Sequence, residues 1–335
     1  MYDVITIGTA TRDIFFGTHD VKRLKDARHL KSLGFVRGEA VCLPLGGKTE
    51  ADEFYATTGG GAVNAAVTFA RQGFKTAALV KIGNDESGRA IRERFRAEGI
   101  ASLAVTHPTE PTGHSVILLA GGDRSILTYR GAAEELRERD MRPAHLKAKW
   151  AYIAPSNIPF AVMRAAATVL KQGGTRIALN PSRAYLELGA EKLKPLLNKA
   201  DVVFVNEEEA SLLTGIPYGK GKAIFRALDE MVRGIVVMTR GRAGAALSDG
   251  SFVYRTGIYA DSGAVDRTGA GDAFGAGFVA GLMAAEDVTH ALKLASANAA
   301  AVVAHIGASE GALRAREFPG RRFTYLDLDI EPLLS

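Results

Sequence analysis

An α/β fold with a central, mainly parallel sheet covered by helices on both faces is what this chain predicts. Three observations carry it. Short apolar runs such as Val202-Val-Phe-Val205 and Ile235-Val-Val-Met238 read as strands buried on both sides. From about residue 150 onward such runs alternate with segments of helical length and period, the pattern of strand–helix–strand crossovers. Polar and glycine-rich clusters fall just after several runs, where open α/β sheets bind their ligands.

The elements follow in order. Val4 to Ile7, ending at Gly8, is a first buried strand. The stretch 14–58 mixes alternation in Asp52-Glu-Phe-Tyr-Ala56 with turn residues at Gly46-Gly47, and reads as short strands outside the main sheet. Regular structure resumes with a helix at 62–72, a strand at 75–81 and a helix at 85–98. His114 to Ala120 and Ser125 to Tyr129 flank Gly121-Gly122-Asp123, a hairpin pattern. Strands at 150–154, 175–180, 201–205 and 234–239 then alternate with helices at 160–172, 184–198, 206–213 and 220–231. A second hairpin, 245–254, turns at Asp249-Gly250, and helices at 270–285 and 287–304 end the core. No repeat or linker divides the chain, so 1–335 reads as one domain, with the segments near 14–58 and 101–130 forming a small β-strand lid.

Composition narrows the class. At 335 residues, 47% hydrophobic and 24% charged, the chain has ample apolar content for a core. No run approaches the ~18 apolar residues needed to cross a bilayer. MYDVITIG lacks the basic and apolar regions of a signal peptide. Cys42 is the only cysteine, which excludes an intrachain disulfide and points to the cytoplasm. The net charge of +5 comes from basic residues interleaved with acids, as in 89–96 and 137–142. That is a solvated surface rather than a nucleic-acid face, and it suits anionic small molecules.

The chemistry concentrates in Asp266-Arg-Thr-Gly-Ala-Gly-Asp272, which opens the helix AFGAGFVAGL. Free backbone N–H groups and the positive end of a helix attract anions, and Gly269 and Gly271 permit close approach. A carboxylate beside an anion site is electrostatically awkward unless it removes a proton. Asp272 therefore reads as the base in phosphoryl transfer to a hydroxyl. Asp13, Gly59-Gly-Gly-Ala-Val-Asn64, Asn206-Glu-Glu-Glu209 and Thr239-Arg-Gly241 with Gly244 fall at other strand ends. Each alone has a plainer reading as a turn, a cap or a helix-dipole partner. Their conjunction points to a site.

Gly60-Gly-Ala-Val-Asn-Ala-Ala66 with Gly73 and Gly83 resembles the first motif of the ribokinase (phosphofructokinase-B) family of carbohydrate and nucleoside kinases. Asp266 to Asp272 resembles the second, and Asn206-x-x-Glu209 a third. The likeness spans Gly8 to about Ala308 and implies a ribokinase-like three-layer αβα fold. It implies Asp272 as catalytic base, with the amides of Gly269, Ala270 and Gly271 as an anion hole worth about 3 kcal/mol per donor. Asp13, Gly60, Gly61 and Asn64 match substrate-hydroxyl positions, and Thr239, Gly241 and Gly244 match the nucleotide-phosphate loop. Asn206 and Glu209 match the residues that organise Mg²⁺ through water around ATP. Asp266 and Thr268, with a loose match at Ala304-His-Ile-Gly-Ala308, imply the monovalent-cation loop of some relatives, hence K⁺.

Two departures stand out. Arg267 replaces a small residue or proline, and the interval between Asp13 and Gly60 is unusually long. Arg130, at the end of a lid strand, reads as a substrate contact or a surface ion pair, and Asn298 as an adenine contact. His114 and His305 read as structural. The expected acceptor is a sugar or sugar derivative. A nucleoside, with Phe15, Phe16, Phe54 and Tyr55 as base contacts, is the alternative, and a silent sugar-binding or regulatory protein a further one. ADP as donor and a homodimer through the lid also remain open.

Overall fold

Val4, Ile5 and Ile7 are wholly buried, so the first strand, β1 (Tyr2–Gly8), lies inside the main sheet. A computed structural model describes residues 1–18, 20–33, 35, 38–120, 123–259, 263–323 and 326–333. After β1 come β2 (Thr11–Gly17), β3 (Lys22–Lys25), α1 (Ala27–Ser32), β4 (Glu39–Cys42), β5 (Glu53–Gly59) and α2 (Gly61–Arg71). Next are β6 (Thr76–Leu79), β7 (Lys81–Ile82), α3 (Glu86–Ala97), β8 (Ala101–Ser102), β9 (Val105–Thr106), β10 (Gly113–Ala120) and β11 (Asp123–Tyr129). The alternating half comprises β12 (Ala148–Ala154), α4 (Phe160–Gln172), β13 (Arg176–Leu179), α5 (Arg183–Leu186), α6 (Ala190–Leu197), β14 (Val202–Asn206) and α7 (Glu207–Thr214). It continues through α8 (Gly221–Asp229), β15 (Ile235–Thr239), β16 (Ala245–Ser248), β17 (Phe252–Thr256), α9 (Ala270–Ala285), α10 (Val288–Val302) and β18 (Leu328–Pro332).

The main sheet runs β18-β17-β16-β15-β14-β13-β12-β1-β6-β8. From β15 to β8 each strand is parallel to its neighbours, while β16, β17 and β18 are added antiparallel. Alternation along each strand decides which layer it feeds. Ile5, Ile7, Ile153, Leu179 and Val203 pack under Met163, Leu196 and Ile224 of α4, α6 and α8. Val4, Tyr152 and Phe204 face the other way, against Phe69 of α2, Phe278 of α9 and Leu294 of α10. Helices on both faces of a mainly parallel sheet are the architecture expected.

A second sheet, β11-β10-β2-β5, stands off the main one. β2 pairs antiparallel with β5 and parallel with β10. This sheet begins at Thr11, ahead of the expected boundary at 14. Only β10 and β11 of the second expected segment join it, because β8 adds to the main-sheet edge and β9 pairs with β7. The 14–58 stretch also holds α1, whose start is capped by Asp26 accepting from His29 N. The expected turn at Gly121-Gly122 lies outside the described residues.

Two further differences have local causes. The helix expected over 184–198 breaks into α5 and α6 at Gly189, which takes φ of 84°. The C-terminal strand β18 was not foreseen, and it binds β17 from Phe252↔Pro332 to Thr256↔Leu328. Among the described residues no helix is long and apolar enough to cross a membrane.

Candidate active site

Asp272 sits in the first turn of α9, and the loop before it explains why. The buried Asp266 carboxylate accepts from Thr268 N at 2.9 Å and Thr268 Oγ1 at 2.7 Å through Oδ1. Its Oδ2 accepts from Gly307 N at 3.2 Å, which ties the loop to the segment after α10. Gly269 then caps α9 with φ of 76°, a left-handed conformation that glycine adopts without strain. A Cβ there would also overlap the Ala308 carbonyl. Ala270 N is partly engaged, donating to Arg267 O at 3.3 Å.

The Asp272 carboxylate is gripped from two sides. Asn64 Nδ2 on α2 donates to Oδ2 at 2.9 Å, and Asn180 Nδ2, just past β13, donates to Oδ1 at 3.2 Å. Gly61, the first residue of α2, lies against the same oxygen, 3.6 Å from where its Cβ would be. Burial raises the Asp272 pKa, and the Asn64 hydrogen bond pulls it partly back. Asn64 Oδ1 is buried without a hydrogen-bond partner among the described residues. Gly60 caps α2 with φ of 95° and abuts the Thr9 carbonyl.

Asp13 on β2 is buried beside Gly59 and accepts from Thr11 Oγ1 at 2.8 Å. Its pKa is raised by burial, against hydrogen bonds from Thr11 and Ser115. Register places Phe15, Thr57, Tyr55 and Ser115 on its face of the second sheet. Phe15 is fully buried, whereas Phe16 and Phe54 pack with tilted rings on the opposite face, centroids 5.5 Å apart. Of the four aromatic residues considered for a base, only Tyr55 is both exposed and on the Asp13 face.

A cavity of about 270 Å³ opens on the other side of the glycine turn, lined by Thr239, Gly241, Gly244, Arg267, Ala270 and Gly271 among others. Thr239 ends β15, and the turn after it closes where Arg240 N donates to Gly244 O at 2.8 Å. Gly244 must be glycine, since its φ is 83° and a Cβ would overlap the Thr256 carbonyl. Arg267, singled out as unusual in sequence, is part of this lining.

Four other expected residues make local contacts. Asn298 is fully buried, donating to Ala273 O at 2.8 Å and Thr68 Oγ1 at 3.2 Å and accepting from Leu313 N at 2.8 Å. It is a core bracket between α10, α9 and α2, while Ser296, Ala299 and Ala300 of the same helix line the cavity. Arg130 pairs with Glu134 at 3.3 Å and donates to Ser156 Oγ at 3.1 Å, the ion pair considered from sequence. Asn206 and Glu209 form a reciprocal capping box at the start of α7, each side chain accepting the other's backbone N–H at 2.8 Å. The box engages Glu209 Oε2, and burial followed by the Glu208 charge raises the Glu209 pKa. His114 contacts Ser87 Oγ and Thr112 O, and His305 contacts Ala301 O, both structural as expected.

Asn180 was missed. An asparagine before a proline reads as a turn residue, and nothing local reveals a contact to a carboxylate 92 residues away. The register Ile153↔Leu179 and the bond Asn180 N to Ile153 O place it.

Comparison with known proteins gives the family of the chain. The sequence model of the pfkB family carbohydrate kinases matches residues 37–315. The ribokinase of Haemophilus influenzae is 31% identical over 258 residues, covering 75% of this chain and 82% of that protein. The adenosine kinase structure from Sinorhizobium meliloti superposes with a TM-score of 0.75 at 25% identity, covering 92% and 95% of the two chains. Arabidopsis thaliana ribokinase, solved with ribose and ATP, gives 0.73 at 24% identity over 94% and 96%. The chain is thus ribokinase-like in fold and belongs to the pfkB family of carbohydrate kinases, enzymes that transfer a phosphoryl group to an alcohol.

Proposed function

We propose that this protein transfers the γ-phosphoryl group of ATP to a hydroxyl of a sugar, with Asp272 as general base. The observation that carries the reading is the Asp272 carboxylate. It is buried, has a raised pKa, and is held between Asn64 and Asn180 at the start of α9. A carboxylate with a raised pKa is a better proton acceptor, and its two fixed hydrogen bonds leave the remaining lone pairs for a hydroxyl. In this reading the hydroxyl donates to Asp272. Asn64 Oδ1, otherwise unsatisfied, accepts from a second substrate hydroxyl, and Asp13 accepts from another. The amides of Gly269 and Gly271 face the transferring group, and Ala270 joins them when its long contact to Arg267 O yields.

ATP occupies the cavity between the Thr239–Gly244 turn and α10, with Arg267 beside its phosphates. The second sheet covers the acceptor and excludes water, which would otherwise compete for the phosphoryl group. The Asn206–Glu209 pair fits Mg²⁺ bound through water. Glu209 keeps one carboxylate oxygen outside the capping box, available to accept from metal-bound water. Bound Mg²⁺ would neutralise phosphate charge. Asp266, a buried carboxylate beside Gly307, is the residue that would serve K⁺.

A panel of ribose, fructose, sugar phosphates, cytidine and adenosine with ATP and Mg²⁺, read by ADP release, tests the acceptor. Turnover restricted to nucleosides would move the reading to a nucleoside kinase, with Tyr55 as the base contact. Binding without turnover on every member would make the protein a sugar-binding relative, and turnover with ADP would change the donor.

A further inference from the structure

Tyr152 presents a problem that packing alone does not explain. Its ring is wholly buried between Phe69 and Phe204, with centroids 5.9 and 6.0 Å away. A phenylalanine would fill that space without a hydroxyl to desolvate, and a buried hydroxyl lacking a good partner is costly. Yet the hydroxyl makes no hydrogen bond of ordinary geometry. It lies against the Asn180 side chain and within reach of the Asp272 charge.

Space for it comes from α9. A Cβ on Gly275 would overlap the Tyr152 hydroxyl oxygen, but would stand 3.4 and 3.5 Å from the nearest ring carbons. Those ring distances are ordinary contacts. So the hydroxyl, and not the ring, requires glycine at 275.

Asn180 is fixed from behind as well as from below. Its N–H donates to Ile153 O at 2.9 Å, and Pro181 restricts its backbone to extended conformations. From that anchor the amide reaches Asp272 Oδ1, while Asn64 takes Oδ2 from the opposite side. One amide on each oxygen leaves the carboxylate a single rotation.

We propose that Asn180 is a positioning residue that fixes the Asp272 carboxylate toward the acceptor, and that the Tyr152 hydroxyl, housed by Gly275, buttresses the Asn180 amide. This rests on Asp272 being the base.

The test uses the full-length protein with ATP, Mg²⁺ and whichever of ribose, fructose, cytidine and adenosine the panel selects. Asn180→Ala is expected to lower kcat on the order of tenfold to a hundredfold, as a misdirected catalytic group does. KM for ATP and acceptor should stay within about threefold, since neither binding site is altered. A kcat within about twofold of the parent overturns the assignment. Gly275→Ala is expected to lower kcat because the new methyl drives the hydroxyl into Asn180. Tyr152→Phe alone, which removes the buttress, should lower kcat severalfold with both KM values kept, and combined with Gly275→Ala it should relieve the clash without restoring the parent rate, because the overlap is with the oxygen alone. A Tyr152→Phe variant with the parent kcat would overturn the Tyr152 link. Asp272→Asn is assayed beside them. Full turnover in that variant removes the base itself, whereas a dead Asp272→Asn with an unimpaired Asn180→Ala removes only the positioning role.

Discussion

Gly59 and Asp13 approach each other across the β2–β5 pair so closely that any Cβ at position 59 would overlap Asp13 Oδ2. The glycine thus sets where the buried carboxylate points. Gly59→Ala must turn Asp13 away from the acceptor without touching the cavity beside Thr239. The expected result is an acceptor KM raised on the order of tenfold to a hundredfold, with ATP affinity by calorimetry unchanged. An unaltered acceptor KM would separate Asp13 from substrate binding.

Asp272→Asn keeps the shape of the site and removes its proton acceptor. Turnover should fall on the order of 10²- to 10⁴-fold, the usual contribution of a general base. Nucleotide binding should persist, because Asp272 does not line the cavity.

The acid limb of kcat follows from the raised Asp272 pKa. The base must be ionised, so activity is present above that value and lost as pH falls through it. Because the pKa is raised, the loss begins above the ordinary aspartate value of about 3.9. Asp13 is raised too, and its protonation should show in acceptor KM rather than in kcat. A kcat profile flat down to roughly pH 4 would contradict the assignment.

Stability offers a check away from the chemistry. Arg71, ending α2, pairs with Glu98 at 2.7 Å and donates to the carbonyls of Ser309, Glu310 and Ala312. Burial alone would raise the Glu98 pKa, but the Arg71 hydrogen bonds and charge prevail and lower it. A lowered folded value means the pair contributes stability above the unfolded pKa and loses it as pH falls through the folded one. Arg71→Ala should cost about 2 kcal/mol or more in urea unfolding at neutral pH, because it removes the close partner of a largely buried carboxylate, which keeps Arg94 at 3.4 Å, and takes the donor from three carbonyls. A loss under ~1 kcal/mol would class the pair with exposed ion pairs.

Initial rates in potassium chloride should exceed those in tetramethylammonium chloride if the Asp266 loop binds a cation. Equal rates would leave Asp266 as the tie it forms with Thr268 and Gly307.

The parts legible in sequence were local. The glycine turn, Asp272 and the Thr239–Gly244 turn each announce themselves within a few residues, because backbone conformation demands those residue types. Asn180 and Tyr152 did not, since their role exists only once β12 and β13 lie side by side under α9. Asn298 was misread for the opposite reason. A helix lined by small residues on several sides does not disclose which side meets the cavity, and Asn298 turned to the core. Tyr55 became distinguishable from Phe16 and Phe54 only through register, because a shift of one residue exchanges the faces. β18 was invisible because a short tail segment gains its strand character from the edge it joins.

Only Gly60 separates the end of β5 from the start of α2. The second sheet and the helix that carries Asn64 are therefore one continuous piece of chain, with the base gripped four residues beyond the joint. On the proposed function, a shift of that sheet in the absence of acceptor would be felt at Asn64 and would misalign Asp272, so that idle consumption of ATP by water would be held down through this one joint.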